Sequence, residues 1–294
     1  MAITKVAIAG GTGNLGPAIL NALLEANFEI TLLSRSSTHQ VDSRVKIQEV
    51  DYNSLDSLVA ALKDQDAVVN VLNVGAVPVE IHLRLIEAAQ KAGVQRFLPS
   101  EFGSDTAHPL TSKLPVFGDK ITIINRLKEI TTQESVFTYT AVINGPFFDW
   151  GLKHSFILNL TGPSTPVYDG GDTVFSTTTL AGVGRAVAGV LEHPTETKNR
   201  YVYVSQADVT QNKLLALSGK TIEREEISTA DLEKQAFEAV KQSPPDFHTF
   251  AVNLIRRSIF DSNYGPGFAK TDNELLGVPK FSEAEVLDLV KQSS

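Results

Sequence analysis

Cysteine is absent from the 294 residues, which excludes disulfides, thiol nucleophiles and thiolate metal sites. Long apolar runs are missing too, and none approaches the roughly 20 residues that a membrane-spanning helix needs. Positive charge is scarce: 26 Lys and Arg stand against 34 Asp and Glu, for a formal net charge of -8. With an isoelectric point near 5.3, the chain has no broad footprint for a phosphate backbone, so nucleic acid is not an expected partner. No internal repeat, low-complexity tract or charge run stands out. A Gly-x-Ser-x-Gly elbow is lacking, which leaves Ser100 without the context of a hydrolase nucleophile. His108 lies near Asp105, but no third ligand stands at a metal-binding spacing, so a loop is expected there and no metal. The first strand starts almost at Met1, leaving no room for a signal peptide, and a cytoplasmic location is expected.

What is present belongs to a soluble α/β protein. Hydrophobic residues make up 42% and charged residues 20%, enough for a sizeable core. The chain is organised around Gly10-Gly11-Thr12-Gly13-Asn14-Leu15-Gly16. Before it, Lys5 to Ala9 suits a buried parallel strand. After it, Ile19, Leu20, Leu23 and Leu24 recur at helical spacing, so a helix is expected to begin near Asn14 or Leu15. Strand, glycine turn and helix together read as a dinucleotide site rather than an ordinary tight turn. Gly10 permits the turn, Gly13 lets the backbone approach a pyrophosphate, and Gly16 lets the helix lie close to the strand.

Strand and helix then alternate. Strands are expected at residues 28–33, 44–50, 67–72, 96–99 and 136–143, and helices at 55–62, 81–92 and 121–131. That order predicts a doubly wound parallel sheet of the Rossmann type. Beyond Gly145 the alternation weakens. Helices are expected at 180–191, 229–241 and 283–290, a strand at 201–205, and a loop at Pro244-Pro245. We read residues 1–150 as a dinucleotide-binding Rossmann domain, for which the end of the second strand selects NADP, and 151–294 as mainly a smaller substrate-binding subdomain over the sheet's C-terminal edge. Segments such as 180–205 are expected to return to the sheet.

The second strand ends Leu33-Ser34-Arg35-Ser36-Ser37. A carboxylate at this point would accept from the ribose hydroxyls of NAD and repel a 2′-phosphate. Arg35 among small hydroxyls does the reverse, which points to NADP(H), the alternative being a solvated surface arginine. Asp51 is a second candidate, near the adenine, or else a turn residue before Leu55. Thr12, Asn14 and Leu15 of the turn, with Asn73, complete the residues expected at the cofactor. The Tyr-x-x-x-Lys pair of many nicotinamide enzymes is missing: with Lys120 in the lysine slot, the tyrosine slot holds Val116. A partly desolvated lysine would have a lowered pKa and could move a proton, although residue physics alone puts a helix lysine on the surface.

Three stretches carry a resemblance: the glycine turn, Arg96-Phe97-Leu98-Pro99-Ser100-Glu101-Phe102-Gly103, and Val116-Phe117-Gly118-Asp119-Lys120. Together they resemble the isoflavone-reductase-like family of the NmrA-like, atypical short-chain dehydrogenases/reductases. The ending, from Glu274-Leu275-Leu276-Gly277-Val278-Pro279 through Leu289-Val290, also resembles the family's, and the similarity is patchy from Phe148 to Asp272. It implies an NADPH-dependent reductase, puts the family's catalytic lysine on Lys120, and puts Asn144 near the nicotinamide, where a capping role is the alternative. Two departures lie in the substrate half: Thr179 stands where plant members often carry an acidic residue, and the segment around Leu215 to Gly219 is shortened. A plant phenylpropanoid substrate is therefore not carried over. Phe148, Trp150 and His154 follow the sixth strand where an aromatic substrate could stack, and His154 could donate a second proton. The leading expectation is reduction of a small aromatic or secondary-metabolite substrate with Lys120 as general acid/base, by a monomer or homodimer. The alternative is a non-catalytic NAD(P)-sensing regulator that binds a protein partner.

Overall fold

The structure is a computed structural model describing residues 2–133 and 136–293. Its first half runs β1 (Lys5–Ala9), α1 (Gly16–Glu25), β2 (Glu29–Ser34), β3 (Lys46–Glu49), α2 (Leu55–Leu62), β4 (Ala67–Asn70), α3 (Val79–Lys91), β5 (Arg96–Leu98), α4 (Gly118–Gln133) and β6 (Thr138–Ile143). The second half adds α5 (Phe148–Lys153), β7 (Ser164–Tyr168), β8 (Phe175–Thr177), α6 (Leu180–Glu192), β9 (Arg200–Tyr203), β10 (Ala207–Val209) and α7 (Gln211–Ser218). It closes with β11 (Glu223–Ile227), α8 (Thr229–Ala239), α9 (Phe247–Phe260), α10 (Asn273–Leu276) and α11 (Glu283–Gln292).

Seven strands form one sheet in the order β3-β2-β1-β4-β5-β6-β9, and every neighbouring pair is parallel. The Rossmann-type sheet expected from the strand–helix alternation is therefore present, with β9 returning from the second half as its outer strand. Alternate side chains of β1 serve opposite faces. Val6 and Ile8 join α1 and α6 through Ile19, Leu23, Val183 and Val187. Ala7 and Ala9 join α2, α3 and α4 through Leu58, Leu85, Ile86 and Leu127. An added Cβ on Gly184 would meet the Ala18 carbonyl oxygen at 2.4 Å, so α6 lies almost backbone to backbone on α1. The strand order reverses between β1 and β4, which opens a crevice at their C-terminal ends.

A third core, including Phe148, Tyr168, Phe175, Leu214, Leu232 and Phe260, lies wholly in the second half. Its small sheets pair β8 with β10 antiparallel and β7 with β11 parallel. Helix α9 was not anticipated. It begins directly after Pro244-Pro245, with the Asp246 carboxylate accepting from the Thr249 N–H at 2.9 Å. Helix α4 begins at Gly118 rather than Ile121, so Lys120 stands in its first turn. Among the described residues no helix is long and apolar enough to cross a membrane.

Candidate active site

The crevice is floored by the glycine turn. Gly10 has φ +85°, and an added Cβ would meet Leu72 N and Val71 C at 2.7 Å. A Cβ on Gly16 would lie 2.2 Å from the Gly11 carbonyl oxygen. Both glycines are demanded by the protein's own backbone. Gly13 is different: its Cβ would meet only the Gly10 carbonyl oxygen at 3.5 Å, an ordinary contact. Thr12, Gly13 and Asn14 are exposed, while Leu15 is buried in the core. Helix α1 starts at Gly16 with no side chain capping it, so its first N–H groups and the positive end of its dipole face the crevice. An open, uncapped helix start above an unobstructed Gly13 fits a dinucleotide pyrophosphate.

Arg35 is exposed immediately after β2. Beside it the Ser34 hydroxyl accepts from the Ser36 N–H at 3.2 Å, and the Ser36 and Thr38 hydroxyls bond at 2.8 Å. A cation flanked by hydroxyls suits a phosphate. Asp51 serves a turn, accepting from the Asn53 N–H at 2.8 Å. Asn73 is exposed past β4, and its carbonyl accepts from Val77 N at 2.9 Å. Asn144 is fully buried after β6. Its amide donates to the Gly145 carbonyl at 2.6 Å while its Oδ1 has no partner. The backbone N–H groups of Asn144 and Gly145 reach the Gly103 carbonyl at 3.3 and 3.0 Å, which ties the loops after β5 and β6 together.

Lys120 meets that joined region from α4. Its partly buried Nζ donates to the Glu101 carbonyl and lies 6.0 Å from the centre of the Phe117 ring. Burial pushes the lysine pKa down, against the opposing pull of the Glu101 charge. Val116, in the vacant tyrosine slot, packs against the small cluster that includes Phe117 and Leu254. Glu101 itself is fully buried. Its Oε2 accepts from the Thr106 hydroxyl at 2.5 Å, its Oε1 has no partner, and burial pushes its pKa up. On the α3 side, the buried His82 shares a 2.9 Å hydrogen bond between Nδ1 and the Asn70 amide. Burial holds its pKa at about 4, with Asp119 opposing.

The aromatic candidates are divided. Phe148 is wholly enclosed in the third core. Trp150 and His154 stack with ring centres 4.5 Å apart, and His154 is exposed, with Nδ1 2.9 Å from the Trp150 carbonyl. Asp105, paired with His108 in the metal reading, instead accepts from the Ala107 N–H at 3.0 Å and the Tyr203 hydroxyl at 3.1 Å. Thr179 caps α6 by accepting from Gly182 N at 3.0 Å. A groove of about 730 Å³ runs between α1 and α6 and meets the candidate site residues only at Asn14. Sequence reasoning gave no role to Glu101, Thr106 or His82. A lone acidic letter shortly after the Arg96–Leu98 strand was the available signal for Glu101. The bond joining the hydroxyls of Ser104 and Ser258 at 2.8 Å, which ties this loop to α9, had none.

Comparison with known proteins follows the same lines. The NmrA-like family model matches residues 3–252. The oxidoreductase poxI of Penicillium oxalicum is 30% identical over 98% of this chain and 94% of its own. Two solved structures share the fold over the full length of both chains. One is described as AtPrR2 with NADP+ and (+)pinoresinol, with a TM-score of 0.78 at 21% identity. The other is isoflavone reductase, with a TM-score of 0.77 at 23% identity.

Proposed function

This chain belongs to the NmrA-like family, and from that premise we propose an NADPH-dependent reductase of a small aromatic or secondary-metabolite substrate, with Lys120 as general acid/base. The chain is an oxidoreductase, as its relative poxI is named. The observation that carries the catalytic reading is Lys120 itself: a partly buried ammonium at the crevice, anchored by one donor to the Glu101 carbonyl. An ammonium has three donors, so two remain for a substrate.

NADPH, when bound, supplies the hydride. Gly10, Gly13 and Gly16 shape the cradle for the pyrophosphate, with Thr12, Asn14 and Leu15 in the same turn, and Arg35 holds the 2′-phosphate. Asn73 and Asn144 line the cofactor between the ends of β4 and β6. Lys120 gives its proton to the oxygen or carbon that gains negative character, and desolvation makes that release easier. The second half, residues 151–294 with 180–205 returned to the sheet, walls the substrate. Trp150 and His154 present an aromatic face, while Phe148 supports that wall from the core. A regulator that senses the nucleotide without turnover would use the same cradle but would not need the lysine.

The test follows loss of reduced-nicotinamide absorbance over a panel of aromatic ketones, enones and benzylic ethers, comparing wild type with Lys120→Ala. Turnover that collapses in the variant while NADPH binding survives is expected. Turnover that persists in Lys120→Ala refutes the role given to the lysine.

A further inference from the structure

We infer that Glu101 is a positioning residue for the reaction, its buried carboxylate governing whether Lys120 carries its proton; the inference rests on the role given to Lys120 above. Glu101 holds Lys120 in two ways from one residue. Its carbonyl takes the Nζ bond, and its side chain, fully buried, acts on the ammonium through space. The large majority of buried side-chain polar atoms have a hydrogen-bond partner, and an orphaned one calls for an explanation. Here Oε2 is held by Thr106 at 2.5 Å and Oε1 is left without a partner. Because Nζ bonds the carbonyl rather than the carboxylate, the counter-charge is supplied at a distance and the remaining Nζ donors stay free.

The surrounding charges leave these two groups as each other's main partners. Lys120 faces Glu101 from the loop after β5 and His82 from α3, with Asp119 beside it on α4. His82 is neutral above about pH 4, so it adds no positive charge in the working range. Around Glu101 the strongest charge is Lys120; Asp105 opposes it and Lys128 on α4 assists more weakly. From β9, Tyr201 reaches the same Thr106 hydroxyl and feels the Glu101 charge. An ionised Glu101 therefore keeps Lys120 protonated until substrate takes the proton, against the burial that favours the free amine.

Glu101→Gln keeps the shape and removes the charge. The experiment is competitive labelling of the full chain with trace acetic anhydride across a pH series, read lysine by lysine by mass spectrometry, with Lys234 as exposed reference. The Lys120 labelling midpoint should fall by about one pH unit or more in Glu101→Gln, while Lys234 stays put. A folded Glu101→Gln whose Lys120 midpoint equals that of wild type overturns the proposal. If Glu101→Gln does not fold, Thr106→Val decides: losing the hydroxyl donor makes Glu101 harder to ionise, so the midpoint should again fall, and an unmoved midpoint overturns the proposal. Labelling needs neither cofactor nor turnover. Failure of the reductase reading would appear instead as a coupled Lys120 whose loss leaves NADPH oxidation intact.

Discussion

Gly13→Ala separates what the glycine turn does for the fold from what it does for a ligand. At Gly16 an added Cβ meets backbone at 2.2 to 2.6 Å, and backbone cannot swing aside, so Gly16→Ala should cost at least about 3 kcal/mol of stability. At Gly13 the added methyl meets one carbonyl oxygen at 3.5 Å. Its own effect on stability should lie within about 1 kcal/mol, with a small gain possible because the unfolded chain loses freedom. In the cradle proposed for NADPH, that methyl would project where the pyrophosphate rests against the backbone. Overpacking of about 1–3 kcal/mol there corresponds to roughly 5- to 150-fold weaker NADPH binding. Urea unfolding and a fluorescence titration with NADPH measure the two effects separately. Gly13→Ala that binds NADPH with wild-type affinity, or that unfolds as early as Gly16→Ala, refutes the reasoning.

Arg35→Ala should weaken NADPH by about 10- to 150-fold through loss of charge-assisted bonds of about 1.5–3 kcal/mol and leave NADH unchanged; titration of both nucleotides checks it, and equal losses would sink the 2′-phosphate assignment. His82 should make stability depend on pH. Its folded pKa of about 4 lies below the ordinary 6.5, so the unfolded chain binds the proton that the fold excludes. Its contribution is complete above pH 6.5 and is lost as pH falls toward 4, on the order of 3 kcal/mol in all. Urea midpoints at pH 7 and 4.5 should therefore draw together in His82→Gln relative to wild type, and an unchanged difference contradicts the assignment.

The first half of this chain is legible because its signals are local and agree. A β-branched run, a spaced glycine turn and a helical apolar stripe follow one another within the segment from Lys5 to Leu24, and the fold uses them in that order. Lys120 shows where local reading weakens. Pro115 and Gly118 read as loop residues, yet a 3-10 turn at Pro115–Phe117 runs straight into α4, moving the helix start ahead of the lysine. The second half is written in long-range terms. β11 exposes every residue but its last, so no alternation marks it as a strand, and it is held by pairing Glu223 with Ser164 across the cap. The apolar stripe of α9 is broken by Arg256-Arg257, and its start is hidden behind two prolines.

Glu101 joins the two halves of that argument. It lies within the stretch that carries the family resemblance, yet what gives it a task is a Thr106 hydroxyl five residues on, a lysine on α4 and a tyrosine on β9 a hundred residues away. Local sequence encodes where a dinucleotide can lie, because the cradle is backbone and helix dipole. The protonation of the lysine on α4 is governed instead by its burial and by the charge of Glu101 on the loop after β5. A substitution on β9 can reach the lysine only through Glu101, and it leaves the glycine turn untouched. Tyr201→Phe, which removes the phenol facing Thr106 and Glu101, is the variant that separates these two layers: NADPH affinity should hold at the wild-type value while the labelling midpoint of Lys120 moves, and a shift in affinity alone would place Tyr201 in the cradle instead.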